Sequence, residues 1–390
     1  MKRFAALIAI FSLLLLAGCR SDGQATQAAP SILMVVSVSA DGRYAVSSHQ
    51  DNRLILWDIE NRTKQVLADN SNIYSAYFVK GREIIVWQDL DDVVYVQNLD
   101  GKIVETFKHF PTYGHVLSAD LGRYVASDAT WNIFFGHGED LQPIKQDGNS
   151  PSFLGTGKLI NLTLSPDARY LLSAGSGLDT RDKKPIQETP PVNPEQIFSN
   201  YAGVVLWELP SEHPLFKFPG NSVKTTATLS PDGKFVVGGC ENGLGFAWRT
   251  DTGAEVHRLA SLFHGIWTKD TSDNPDKWYD KTGLIPTPPD LNSNEAILTI
   301  RFIDAEHYLC FLTNSPYAVL YHINSPLPLK YLYLGRDPLP AVRDYHRNAA
   351  MDTAPEAGIL VMGQQYGGGI IVYKYDSETK ELNKMWEADR

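Results

Sequence analysis

Ser39-Ala-Asp-Gly-Arg-Tyr44, followed by Leu56-Trp57-Asp58, is the first copy of a pattern that returns along the chain. Its clearest copies are Ser118-Ala-Asp-Leu-Gly-Arg-Tyr124, Ser165-Pro-Asp-Ala-Arg-Tyr170 and Ser230-Pro-Asp-Gly-Lys-Phe235. The period is roughly 40 residues, and each copy holds short β-rich runs separated by turns of the Asp-Gly type. Such a period predicts a ring of small antiparallel sheets, one sheet for each repeat.

This repeat resembles that of the WD40 family, and the resemblance extends from about residue 31 to the C-terminus. It implies an all-β, seven-bladed WD40-like β-propeller, with four strands (a to d) in each blade, the Ser-x-Asp turn between a and b, and the Trp-Asp dipeptide at the end of c. We place the blades at 32–69, 73–108, 113–146, 159–219, 223–260, 296–335 and 345–390. Strand c is predicted to end in Trp57-Asp58, Val96-Gln97, Phe135-Gly136, Trp207-Glu208, Trp248-Arg249, Tyr321-His322 and Tyr373-Lys374.

The two ends of the repeat region indicate how the ring closes. The last blade has its own strand d, from about Glu381 to Trp386, and the first blade begins directly with strand a at Leu33. No strand is therefore exchanged between the termini, and closure depends on packing between the first and last blades. Eight blades or an open arc are the alternatives. Gly114-His115 resembles the family's Gly-His pair but lies too near Ser118 to hold the same place, so we assign it no role.

The N-terminus resembles a bacterial lipoprotein signal. Lys2 and Arg3 precede an apolar run that is too short to span a bilayer, and Leu16-Ala-Gly-Cys19 has the form of a lipobox. Residues 1–18 are thus predicted to be removed, Cys19 to be lipidated, and residues 19–30 to form a flexible tether before a single propeller at 31–390. Arg20 stands where an Asp favours retention in the inner membrane, so the resemblance implies an outer-membrane protein that faces the periplasm. An ordinary secretory signal is the alternative.

Charge argues against nucleic acid as a partner. The chain has a net charge of −10, and loss of residues 1–18 makes it about −12 because Lys2 and Arg3 are removed. Binding to phosphate backbones requires clustered basic residues, which the sequence lacks. We therefore expect contact with the membrane through the N-terminal lipid only.

Two cysteines besides Cys19 fall in strand b of neighbouring blades. When Phe235 is aligned with Tyr308, Cys240 and Cys310 are three positions apart, roughly 10 Å along equivalent strands and too far for a disulfide. Both are predicted to be buried thiols.

Two insertions, at 176–202 and 261–295, interrupt the period. The first falls between strands b and c of blade 4, the second between strand d of blade 5 and strand a of blade 6. In a four-stranded meander these connections share one face, and the connection at 335–348 joins them there. The first insertion is Pro-rich and is predicted to be an extended spacer.

The other two connections supply the candidate partner-binding residues. Aromatic side chains in a long loop are typical of binding surfaces, and arginines bind acidic groups. Capping of the central opening by these rings, and pairing of the arginines with nearby aspartates, are the alternatives. The candidates are Phe263, His264, Trp267, Trp278, Tyr279, Arg336, Arg343, Tyr345 and Arg347.

Motifs for catalysis and metal binding do not appear. The sequence has no Gly-x-Ser-x-Gly and no His-Glu-x-x-His, and Asp270–Asp276 lacks the glycine and closing carboxylate of a calcium loop. The histidines occur singly, and most are predicted at the surface or the rim. No cofactor or metal is expected.

These observations favour a lipid-anchored, non-catalytic scaffold of the cell envelope that binds one or more envelope proteins through one face. The alternative is a propeller hydrolase or lyase, or a sensor of a small ligand, with a site in the central opening. Strand-a runs such as Leu33–Val38 are apolar or hydroxylic, and acidic residues or histidines do not recur there. This pattern favours the scaffold.

Overall fold

The computed structural model describes residues 33–69, 73–108, 114–127, 133–137, 140–146, 150–151, 159–165, 167–175, 202–209, 214–219, 225–240, 245–259, 267–269, 278–280, 297–312, 316–335, 350–364 and 368–389. The described strands belong to the compact unit Ser31–Arg390. Seven four-stranded antiparallel sheets follow one another along the chain, each with its strands in sequence order. The protein is a seven-bladed all-β propeller, as the repeat predicts.

The first four blades are built from β1 (Leu33–Val38), β2 (Tyr44–His49), β3 (Leu54–Asp58) and β4 (Thr63–Ala68); β5 (Ile73–Phe78), β6 (Ile84–Asp89), β7 (Val93–Asn98) and β8 (Ile103–Lys108); β9 (Gly114–Leu117), β10 (Tyr124–Ser127), β11 (Ile133–His137) and β12 (Asp140–Pro143); and, after a short ribbon of β13 (Lys145–Gln146) and β14 (Ser150–Pro151), β15 (Leu159–Leu164), β16 (Tyr170–Gly175), β17 (Ala202–Glu208) and β18 (Pro214–Pro219).

The last three blades are built from β19 (Thr225–Leu229), β20 (Phe235–Cys240), β21 (Gly245–Arg249) and β22 (Glu255–Leu259); after a ribbon of β23 (Trp267–Lys269) and β24 (Trp278–Asp280), β25 (Ile297–Phe302), β26 (His307–Leu312), β27 (Tyr317–His322) and β28 (Pro328–Tyr333); and β29 (Met351–Ala354), β30 (Ile359–Gly363), β31 (Ile370–Asp376) and β32 (Glu381–Ala388).

The recurring Ser-x-Asp pattern forms the turn from strand a to strand b. In blade 1 the Ser39 hydroxyl donates to the Asp41 carboxylate at 2.7 Å and accepts from the Tyr44 amide at 3.0 Å, while the Arg43 amide donates to Asp41 at 3.1 Å. The same arrangement appears at Ser165 and Asp167 and at Ser230 and Asp232. A serine and an aspartate two residues apart thus satisfy the backbone donors of this turn, which explains why the pattern is repeated.

The hydrophobic core consists of seven clusters, one between each pair of neighbouring blades. Strands b and c such as β2 and β3 are buried on both faces, whereas outer strands such as β4 are mostly exposed. Each blade is therefore stabilised by its two neighbours rather than by a core of its own.

Packing closes the ring between blades 7 and 1, as predicted from the termini. Leu33 and Val36 of β1 share a cluster with Val361 and Val372 of blade 7. Trp386 of β32 meets Trp57 of β3 edge to face, with ring centroids 6.3 Å apart. The first and last strands of the ring each remain in their own sheet.

Two of the predicted strand-c endings are wrong by one residue. In blade 1, Ala45 of strand b pairs with Trp57 of strand c. The residue of blade 2 that is equivalent to Ala45 is Ile85, and it pairs with Gln97 rather than with Val96, so this strand ends one residue later than predicted. In blade 3 the turn holds one extra residue, so Gly136 rather than Phe135 lies opposite Tyr124. In blade 2 the tryptophan lies on strand b instead of strand c. The Trp87 indole donates to the side-chain oxygen of Gln97 on strand c at 2.7 Å.

The cysteine prediction is confirmed where the structure describes it. Cys310 is buried and free, and burial raises the pKa of its thiol. The first pair between strands a and b is Leu229–Val236 in blade 5 and Phe302–Tyr308 in blade 6, so Val236 is equivalent to Tyr308. Cys240 and Cys310 are therefore two positions apart along equivalent strands rather than the predicted three. The side chain of Cys240 lies outside the described residues.

Across the described ranges, no helix is long and apolar enough to cross a membrane.

Candidate functional site

The predicted partner-binding residues fall mostly outside the described part of the chain. This holds for Phe263, His264, Arg336, Arg343, Tyr345 and Arg347, and also for Cys19. Trp267, Trp278 and Tyr279 lie in β23 and β24, which pair antiparallel with Trp267 opposite Asp280 and Lys269 opposite Trp278. The segment between β22 and β25 thus contains a short β-ribbon, and its three aromatic residues occupy paired strands.

The order of the strands places the long connections on one face. The segments from β16 to β17, from β22 to β25 and from β28 to β29 are b-to-c or d-to-a connections in the antiparallel sheets. They start and end on the same face of the propeller, which we call the loop face. The opposite face carries the a-to-b turns with the Ser-x-Asp pattern, and we call it the turn face.

A cavity of about 360 Å³ lies in the centre of the ring, lined by the seven a strands. Many of its lining side chains are apolar or hydroxylic, as the strand-a sequences predict. The lining includes one histidine, His115, and four charged residues, Lys80, Arg301, Asp352 and Glu356. The sequence analysis identified none of these as site residues.

Arg301 and Asp352 lie on the neighbouring strands β25 and β29. The Arg301 side chain is only 15 % exposed, and its Nε lies 3.7 Å from Oδ1 of Asp352. Its Nη1 donates to the Thr299 hydroxyl at 2.7 Å and to the Ile300 carbonyl at 2.9 Å. Burial lowers the pKa of Arg301, and the carboxylate of Asp352 opposes this shift.

Asp352 also joins blade 7 to blade 1. Its Oδ2 accepts hydrogen bonds from the Ser37 hydroxyl at 2.9 Å and from the Val38 amide at 3.0 Å. The Ser37 hydroxyl in turn accepts from the Phe78 amide of blade 2 at 3.2 Å. This carboxylate is therefore fixed by three blades and contributes to ring closure.

Lys80 and Glu356 follow the ends of β5 and β29 and so mark the mouth of the cavity on the turn face. The Lys80 side chain is exposed to solvent there. Desolvation by the surrounding protein nevertheless lowers the pKa of its ammonium group, while Asp352 and Glu356 act in the opposite direction. The mouth thus combines a lysine with two carboxylates.

His115 of β9 lines the opposite wall. Its Nε2 lies 2.8 Å from the Ser75 hydroxyl and its Nδ1 lies 3.3 Å from the Tyr77 hydroxyl, both on β5. Burial raises the pKa of Tyr77, which keeps the phenol protonated. The histidine to which the sequence analysis assigned no role therefore links blades 2 and 3.

The cavity residues escaped sequence analysis because each occurs in a single blade. A search for acidic residues or histidines that recur at equivalent positions does not detect one arginine in blade 6 or one aspartate in blade 7. The signal that could have found them is a charged residue within an otherwise apolar strand-a run, such as Arg301 in Ile297–Phe302. Within the described ranges, no group of three or more His, Cys, Asp and Glu residues could hold a metal ion.

Comparison with known proteins connects this architecture to a repeat family. Residues 28–58 match the WD40 family described as "WD domain, G-beta repeat". A comparison with curated proteins gives no significant match.

Many solved structures have a similar fold, and two of them illustrate it. The β-propeller domain of Cps50 (Swd1) from Myceliophteria thermophila superposes with a TM-score of 0.59 at 12 % identity, covering 93 % of this chain and 100 % of that domain. KlHsv2 with its loop 6CD replaced by a Gly-Ser linker gives a TM-score of 0.57 at 10 % identity, with 92 % and 99 % coverage. At these identities the similarity shows the fold alone.

Proposed function

We propose that this seven-bladed propeller, whose residues 28–58 match the WD40 repeat, is a lipid-anchored scaffold of the bacterial cell envelope, which catalyses no reaction and binds a partner protein through its loop face. The observation that carries this proposal is that three long connections leave and re-enter the blades at strand ends on one face of a closed ring, and that one of them contains the β23–β24 ribbon. A ring of packed blades fixes the positions of the strand ends from which such segments start, which is how loops on a scaffold form binding sites.

The composition of the connections supports a protein partner. Trp267, Trp278 and Tyr279 belong to the residue types that dominate protein interfaces, because they bury a large area with few rotatable bonds. Arg336, Arg343 and Arg347 would add bidentate contacts to acidic groups, and Tyr345 a single hydroxyl donor. A chain with a net charge of −10 offers no comparable basis for binding nucleic acid.

The lipobox at Leu16–Cys19 supports the proposed location at the outer membrane. Lipidation at Cys19 and the tether at 20–30 would hold the propeller near the outer membrane on the periplasmic side. One acyl chain binds a membrane only weakly, whereas the several chains of a lipoprotein anchor it stably.

The test is co-purification of the full-length protein from cross-linked cells. Replacing Trp267 and Trp278 with alanine should abolish recovery of one envelope protein and leave thermal unfolding unchanged. The matched control is Leu329→Ala with Tyr333→Ala, which removes two exposed apolar side chains from the outer strand β28 and should preserve recovery. Equal recovery from both double variants would contradict the assignment of the loop face.

A second arm of the test addresses the anchor. Cys19→Ser should move the protein from the membrane fraction to the soluble fraction and abolish labelling by a radioactive fatty acid. Retention in the membrane without label would contradict the lipid anchor.

A further inference from the structure

The central cavity is lined by the guanidinium group of Arg301, whose side chain is 15 % exposed and only partly hydrogen-bonded to protein. Nη1 of Arg301 makes the two hydrogen bonds described above, whereas Nε and Nη2 donate none to any described residue. Neither nitrogen is a buried atom without a partner, so both donors are accessible from the cavity to water or to a ligand. The guanidinium group has the planar geometry that matches the two oxygens of a carboxylate.

Asp352 does not complete this pairing. Its Oδ2 is held by Ser37 and Val38 of blade 1, and its Oδ1 remains 3.7 Å from Nε of Arg301, beyond hydrogen-bonding distance. Rotation of the carboxylate toward Arg301 would break the two bonds that fix blade 7 to blade 1. The arginine therefore keeps donors for a further oxyanion.

Lys80 supplies a second cation to the same cavity. Its ammonium group makes no hydrogen bond to a described residue, and the residue lines the cavity at its mouth on the turn face. Glu356 stands at the same mouth and likewise has no hydrogen bond within the described residues. The cavity thus presents two cations and two carboxylates, with Lys80 and Glu356 at its open mouth.

We propose that the cavity binds a small ligand that carries both a carboxylate and an ammonium group, that is, a free amino acid or a short peptide. Arg301 and Lys80 hold the ligand carboxylate, and Glu356 with Asp352 faces its ammonium group. A ligand with two opposite charges leaves no uncompensated charge in the cavity, whereas a phosphate dianion would face both carboxylates.

The remaining lining suits a ligand of this kind. The volume of about 360 Å³ lies at the lower end of the range for small-molecule sites. Tyr77, Thr163 and Thr228 line the cavity with hydroxyl groups that give polar contacts, while Val35 and Val116 provide apolar wall. The site opens toward the turn face, opposite the loop face, so it does not depend on the proposed scaffold function.

The experiment is isothermal titration calorimetry on the full-length protein in detergent. Four probes separate the charges: L-alanyl-L-alanine carries both, N-acetyl-L-alanine only the carboxylate, L-alaninamide only the ammonium group, and inorganic phosphate is the competing oxyanion. The dipeptide should bind most tightly, and loss of either charge should weaken binding by about 10-fold or more.

Variants of cavity residues test whether the dipeptide binds in the cavity. Arg301→Gln should weaken binding of the dipeptide by about 10- to 100-fold, and Lys80→Gln by about 3- to 10-fold, because hydrogen bonds to charged groups are worth more when buried. The matched control is Lys102→Gln, an exposed lysine in the c-to-d turn of the same blade as Lys80, which should bind like the wild type. Lys80 is exposed, so its variant should fold even where the Arg301 variant does not.

Three results would overturn the proposal. They are the absence of binding by all four probes, tighter binding of phosphate or of either singly charged probe than of the dipeptide, and unchanged dipeptide binding by the Lys80 variant. The calorimetric outcome is independent of co-purification, so the cavity and the loop face can fail separately.

Discussion

Backbone geometry at single residues decides how the a-to-b turns are built. Gly42 and Gly233 occupy equivalent turn positions with φ of 71° and 72°, and each donates its amide to the serine carbonyl three residues earlier at 2.9 Å. Their surroundings differ. An ideal Cβ at Gly42 would lie 2.7 Å from Cγ1 of Ile359 and 2.8 Å from Cβ of Ala357, both in blade 7, whereas a Cβ at Gly233 meets no atom within 4 Å.

This contrast gives a matched prediction. Gly233→Ala should lower the free energy of unfolding by about 1 kcal/mol, because the left-handed backbone conformation is less favourable for alanine than for glycine and no steric overlap is added. Gly42→Ala adds steric overlap at the junction of blades 1 and 7 and should cost a further 1–3 kcal/mol, roughly the range for an overpacked core. Urea unfolding of both variants measures the difference. Equal losses would mean that the neighbouring blade moves away without cost.

At the scale of the strand pair, blade 1 contains a buried polar chain across β2 and β3. The Trp57 indole donates to the Ser47 hydroxyl at 2.7 Å, and this hydroxyl lies 2.8 Å from Nε2 of His49. His49 is fully buried, an exception to the expectation that most histidines lie at the surface or the rim. Burial lowers its pKa from an ordinary value of 6.5 to about 4.

The lowered pKa predicts a loss of stability in acid. The folded state holds His49 neutral, whereas the unfolded chain takes up a proton below pH 6.5, so the free energy of unfolding falls as the pH drops from 6.5 toward 4. The contribution of His49 to this loss should approach about 3 kcal/mol at the lower limit. Urea unfolding across this range should give a shallower dependence for His49→Gln than for wild type. The control is His137→Gln, at an exposed position of β11, which should have the same pH dependence of the free energy of unfolding as the wild type. If all three proteins gave the same curve, His49 would be excluded as the source of the acid sensitivity.

The same pair of strands shows what the sequence could predict. The Ser-x-Asp turns and the tryptophan of strand c have local causes, namely satisfied turn amides and an indole between sheets, so the seven blades were predictable from the repeat. The endings of strand c in blades 2 and 3 were misplaced because Trp87 lies on strand b in blade 2 and one extra turn residue precedes Tyr124 in blade 3. Arg301 and Asp352 approach each other only when the ring brings β25 and β29 together, and a repeat pattern contains no information on such a pair.

For the whole molecule, the junction between blades 7 and 1 has no covalent connection, in contrast to the other six. Leu33, Val361 and Val372 bury its apolar surface, and Asp352 supplies hydrogen bonds to Ser37 and Val38. At its outer edge Trp386 contacts Trp57, and the Lys64 ammonium donates to the Asp389 carbonyl at 2.8 Å. Closure should therefore depend on side-chain packing more strongly than any other junction does.

Trp386→Ala should test this dependence directly. The indole is partly buried against the closing cluster, and its removal should lower the free energy of unfolding by about 2 kcal/mol, less than the cost of truncating a fully buried tryptophan. Met385→Ala is the matched control, because Met385 precedes Trp386 on β32 and its side chain is 42 % exposed. It should change stability by less than about 0.5 kcal/mol. Limited proteolysis should then show earlier cleavage near both termini in the Trp386 variant only. Cleavage that begins at the junction of two other blades would mean that the termini are not the weakest point of the ring.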